Sequence, residues 1–138
     1  MKTQLNYPKK ILIAWNEAIG GNEKIRDWLM KNNYPELGLF CFALKNMDTA
    51  RTWLIENGYP HLMALINGIE GNKQALSWLE KNNFKVLKIM AMAADSDEKS
   101  QRWLFENDKV LAMIALKMGF VKDEIDRDSN DVHKISPN

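Results

Sequence analysis

Apolar residues along this chain gather in two alternating kinds of stretch. In the first kind a large ring is followed at once by a leucine: RDWLMKNN at 26–33, RTWLIENG at 51–58, LSWLEKNN at 76–83 and QRWLFEND at 101–108. Trp28, Trp53, Trp78 and Trp103 stand 25 residues apart, each followed by Leu29, Leu54, Leu79 or Leu104. Ile25, Ala50, Ala75 and Ser100 come three residues before the ring, and Asn32, Asn57, Asn82 and Asn107 four residues after it. Offsets of −3, 0, +1 and +4 share one face of an α-helix. Each copy therefore predicts a short amphipathic helix, here called B. This reading puts the four tryptophans on its inner face, as the structural core of the repeat.

The second kind of stretch lies between the B copies: ILIAWNEAI, LGLFCFAL, LMALINGI, VLKIMAMAA and VLAMIALKM. These predict a second helix, A. Ala18, Ala43, Gly68 and Ala93 occupy one shared position in it, where a small side chain lets a neighbouring helix come close. Punctuation supports the division. Asn22, Asn72 and Asp97, with Asp48 beside Met47 in the remaining copy, read as N-caps of B. Asn33, Gly58, Asn83 and Asp108 read as the left-handed residue that closes it. Pro35 and Pro60 then open the next A helix.

Turns of two to four residues make successive helices antiparallel. One 25-residue hairpin cannot bury its apolar face alone; ordering it costs roughly 1.5 kcal/mol per residue, which stacking on both sides offsets. The expected fold class is thus all-α: an α–α superhelix, or solenoid, of about four to five two-helix repeats, roughly nine short antiparallel helices forming a right-handed superhelix of hairpins or, with so few copies, a compact arc. The repeats span one domain, 1–120. A fifth tryptophan would fall near 127 or 128, where the chain reads Arg127-Asp128. The polar run VKDEIDRDSNDVHKISPN therefore predicts a cap and tail over 121–138: a turn or capping helix to 128, then a loose end.

Trp-x-x-x-Asn on an inner helix resembles the peptide-binding ladder of armadillo repeats, and the short hairpins resemble HEAT-like helical repeats. The resemblance implies that Asn32, Asn57, Asn82 and Asn107 hold the main chain of an extended peptide, with pockets between Trp28, Trp53, Trp78 and Trp103. The residues themselves allow another reading, in which each amide bonds carbonyls at its own helix end or in the next loop. On the solvent side of B, Arg26, Arg51 and Lys31 add cations suited to a carboxylate or phosphate partner.

Charge and candidate chemistry change this picture little. Among 138 residues, 19 basic side chains face 18 acidic ones, a net charge of +1. The balance runs from +3 over residues 1–33 to −2 over 121–138, too mild a gradient to draw in nucleic acid or a membrane. The lone Cys41 sits inside LGLFCFAL and reads as a core hydrophobe. His61 reads as exposed and His133 as part of the tail, neither at a metal-ligand spacing. Asp126-x-Asp128-x-Asn130 opens like a calcium loop, but Asp131 and Pro137 stand where glycine and glutamate are required.

No catalytic, metal or cofactor constellation emerges. The expectation is a non-catalytic, cofactor-free scaffold that binds a protein or peptide. The alternative is a HEAT-like nucleic-acid binder using Lys9, Lys10, Lys24, Arg26 and Lys31. Apolar surface on the last A helix (Met113, Met118, Phe120) suggests weak homo-oligomerisation. With no long apolar run and no secretory pattern at the start, the expected setting is cytoplasmic, with no membrane partner.

Overall fold

The structure, a computed structural model, describes the backbone of residues 5–135 and the side chains of residues 5–128. Among the described residues nine helices follow one another: α1 (Lys9–Ile19), α2 (Glu23–Lys31), α3 (Pro35–Leu44), α4 (Asp48–Glu56), α5 (Pro60–Ile69), α6 (Lys73–Lys81), α7 (Lys85–Ala94), α8 (Glu98–Asn107) and α9 (Lys109–Ile135). The odd-numbered helices are the A set and the even-numbered ones the B set, and no strand occurs among the described residues.

Backbone closure explains where the helices stop. At the end of each A helix but the last, Gly21, Asn46, Gly71 and Ser96 adopt positive φ, and at the end of the first three B helices so do Asn33, Gly58 and Asn83. The residue after each then turns its N–H back to a carbonyl of the last helical turn, as in Tyr59 to Leu54 at 2.8 Å and Asp97 to Met92 at 2.9 Å. Both left-handed positions recur every 25 residues. Asp108, expected to be the fourth closing residue of B, is not left-handed; it is extended, at φ −158°. One residue is missing from this turn, so Asp108 serves both helices at once. Its N–H bonds Leu104 O at 2.7 Å, and its carboxylate accepts from the Leu111 N–H to cap α9.

The A helices form the interior. α3 packs on α1, α5 on α3, α7 on α5 and α9 on α7, and α9 then packs on α1, which closes the arc into a ring. Each B helix lies outside, against the two A helices that flank it in sequence. Trp15, Phe40, Leu65, Met90 and Ile114 fall at one repeated position of the A helices, and each is fully buried. Trp15 meets Phe40 edge-on, with ring centroids 5.0 Å apart, and donates its indole N–H to Leu37 O at 3.1 Å. Gly68 shows why its column is small: a Cβ there would lie 2.9 Å from both Leu76 of α6 and Ala91 of α7.

The C-terminal region departs from expectation. No break occurs at 120 and no loose end begins at 129, since α9 continues as one helix to Ile135. Its 27 residues span roughly 40 Å. Val121 and Lys122 are buried, so the packed domain extends past 120. Lys122 reaches the far ends of α3 and α5, donating to Leu44 O (3.1 Å), Asn46 Oδ1 (3.1 Å) and Glu70 Oε2 (2.6 Å). Such a cation is stable when buried because each of its bonds is made. Met118, expected to be exposed, is fully buried. His133 and the residues that would complete a calcium loop (Asn130, Asp131, Pro137) have side chains outside the described residues.

Candidate binding surface

The B helices bury a narrow stripe. Leu29, Leu54, Leu79 and Leu104 are inaccessible to solvent, and Ala50, Ala75 and Ser100, four residues before the leucines, are buried with them. The tryptophans are not core. Trp28 is 48%, Trp78 37% and Trp103 40% exposed, and Trp53 is half-buried. The reason is angular: successive residues are turned by about 100°, so a ring one residue before the leucine lies on the flank of the stripe. A helix seated outside two others covers its stripe but not its flanks.

Each asparagine of the repeat sits at the C-terminal end of its B helix and is exposed. Its side-chain amide donates to the carbonyl of its own tryptophan, at 2.7 Å for Asn32, 2.9 Å for Asn57, 2.8 Å for Asn82 and 2.8 Å for Asn107. An amide tied to its own helix end is therefore what the geometry contains. It gives a second hydrogen bond, at the surface, to a carbonyl that in the first three copies already accepts the asparagine's own N–H at 3.0 Å. The amide oxygens accept no hydrogen bond among the described residues.

A second aromatic column joins the first. Tyr34, Tyr59 and Phe84 stand six residues after Trp28, Trp53 and Trp78. Trp53 stacks on Tyr59 with centroids 5.9 Å apart and planes 8° apart; Trp78 stacks on Phe84 at 5.7 Å and 9°. His61 bridges the two pairs, lying 5.0 Å from Phe84 at 4° and 6.1 Å from Tyr59. Five rings thus run continuously across two repeats. His61 is half-buried rather than exposed as expected, and burial lowers its pKa while nearby Glu36 opposes this. Glu36 is itself buried and accepts the Tyr7 hydroxyl at 2.7 Å. Burial, and then that bond, raise the Tyr7 pKa. Glu36 and His61 occupy the helix position that Ile11 and Val86 fill in other repeats, so polarity enters the A column only here.

Beside this row runs a groove of about 370 Å³, floored by α5 and walled by α4 and α6. Ile55, which is 58% exposed, stands on one wall and Trp78 on the other. Met63 and Ala64 form the floor, and Asn67, Asn72 and Gln74 supply the amides. No charged side chain lines it. The second aromatic column, Tyr34, Tyr59 and Phe84, is visible in the sequence through the same 25-residue period as the first, whereas no periodic signal marks Ile55 or the groove.

The expected cationic candidates have other work. Arg51 donates to Ala43 O (3.0 Å), Asn46 Oδ1 (3.0 Å) and Glu70 Oε2 (2.8 Å), so it clamps α4 to the ends of α3 and α5 rather than facing a partner. Gln101, at the equivalent position, donates to Ala93 O at 2.9 Å, and Leu76 packs over Gly68. This column seals A-helix ends. Arg26 lies 4.3 Å over the Phe42 ring and contacts Asp27 at 3.3 Å. Lys31 is exposed at the end of α2, while Lys24 lies at its start, roughly 10 Å away along the axis. Cys41 is buried and its thiol is pushed up to about 12 by that burial, which keeps it protonated.

Comparison with protein-family models, with curated proteins and with solved structures returned no match to this chain. Among the described residues no helix is long and apolar enough to cross a membrane.

Proposed function

We propose that the chain is a non-catalytic binding module that takes up an extended peptide segment of a protein partner on its outer face, in the groove between α4 and α6. The uncharged groove carries this reading. An apolar side chain of the peptide would lie between Ile55 and Trp78, and Asn67 and Gln74 would bond its main chain. The unused amide oxygens of Asn57 and Asn82, at the C-terminal ends of the same two B helices, are acceptors for further peptide N–H groups. A nucleic-acid strand is the weaker fit, because phosphates need cations and the groove lining offers none.

The test is selection from a random-peptide display library, on the wild type and on Ile55→Glu in parallel. Peptides enriched by the wild type and lost by the variant, at unchanged melting temperature, are the expected result. Absence of enrichment, or enrichment indifferent to Ile55→Glu, would overturn the proposal.

A further inference from the structure

The ring of five A helices has five outer grooves between neighbours. Four hold a B helix: α2 between α1 and α3, α4 between α3 and α5, α6 between α5 and α7, and α8 between α7 and α9. The fifth, between α9 and α1, holds none among the described residues, because α9 continues straight instead of turning back. Both of its sides are apolar and open. Ile13 of α1 is 41% exposed, and Met113, Leu116 and Phe120 of α9 are 38%, 37% and 56% exposed. At the positions equivalent to Met113 and Leu116, α3 carries Leu39 and Phe42 and α7 carries Ile89 and Met92, all half-buried between flanking B helices. The last repeat thus keeps apolar residues of that size where its cover is absent. Phe105 of α8, 48% exposed, extends the patch along one rim.

Charge on α9 indicates what covers it. Lys109, Met113, Leu116, Phe120 and Glu124 recur at intervals of four, three, four and four, one stripe of the helix, and all five are exposed. The stripe is basic at one end, apolar in the middle and acidic at the other. Such a stripe is complementary to itself when reversed. We infer that α9 pairs with the α9 of a second copy of this chain, antiparallel about a two-fold axis. In that register Met113 faces the second copy's Phe120, and Lys109 faces the second copy's Glu124. The incoming helix runs opposite to α9, as every B helix runs opposite to the A helices that hold it. The contact is isologous and closes at two copies.

The mass in solution tests this, measured by sedimentation equilibrium over a range of concentrations on the wild type, Phe120→Glu, Glu124→Lys and the double variant Lys109→Glu/Glu124→Lys. All three substituted side chains are exposed, and melting temperatures check that folding is intact. The expected result is a reversible wild-type dimer. Phe120→Glu and Glu124→Lys should each raise its dissociation constant at least roughly tenfold, and the double exchange should restore it. A wild type that stays monomeric at all concentrations overturns the inference. So does a dimer indifferent to Phe120→Glu, or one that the double exchange fails to restore.

Discussion

Two repeated positions of this fold, one inner and one outer, treat regularity in opposite ways. At the centre of the ring, one repeated position holds Trp15, Phe40, Leu65, Met90 and Ile114: five different residues, all fully buried. On the outer helices, one repeated position holds four identical tryptophans, three of them at least 37% exposed. A core needs summed volume and tolerates exchange of identity, provided neighbours compensate. Packing therefore makes no demand for identical residues at this position and places none there. Other buried columns do keep one residue, as Leu12, Leu37, Leu62, Leu87 and Leu111 do on the A helices and Leu29, Leu54, Leu79 and Leu104 on the B helices. The tryptophan column differs from these in keeping one residue where packing is weak, beside the asparagine that caps the same helix.

The largest effect should come from the ring centre. Trp15→Ala removes an inaccessible ring and its bond to Leu37 O, and should cost about 3–5 kcal/mol in chemical denaturation; a loss near 1 kcal/mol would deny the closed core. Next in size is the junction that holds α9 to α3 and α5. Lys122→Met breaks one buried and two part-buried bonds and should cost about 1–3 kcal/mol, and the loss should fall clearly when Glu70 is also replaced by glutamine.

The outer helices should respond far less. Asn82→Ala removes one exposed capping bond and should cost about 0.5–1 kcal/mol, with thermal melting as the measure. The smallest effect is a dependence on pH. Burial alone would raise the Glu70 pKa, but bonds from Arg51 and Lys122 outweigh it and hold the carboxyl below its ordinary value. The resulting stability is present above the ordinary glutamate value, about 4.3, and is lost as pH falls through the folded value. Glu70→Gln should flatten that part of the melting-temperature profile against pH; an unchanged profile would assign the acid sensitivity to other groups.

Much of the architecture was legible because it is periodic. Leucines at 25-residue intervals, helix-capping asparagines and Tyr-Pro turns marked four B helices and five A helices with boundaries close to those observed. Closure of the ring was not legible, since no local pattern tells how far each hairpin rotates against the next. The extension of α9 was not legible because, among the described residues of a polar run, only Val121, Lys122 and Ile125 face the core, and Lys122 there looks like solvent-facing charge. Trp28, Trp53, Trp78 and Trp103 were misplaced because their size was weighed above their angle. At the surface, the asparagine column was visible but its hydrogen-bond partner was not. The groove drew no notice because Ile55, Met63 and Asn67 come from different helices.

Adjacent residues with opposite roles are the centre of this account: the leucine holds the B helix down and the tryptophan beside it is presented to solvent. The direct measurement is equilibrium urea denaturation of Leu79→Ala and Trp78→Ala, side by side. Leu79 is inaccessible and its truncation should cost about 2–5 kcal/mol. The larger Trp78, 37% exposed, should cost less than its smaller neighbour. A Trp78→Ala loss equal to or greater than that of Leu79→Ala would return the tryptophans to the core and contradict the account.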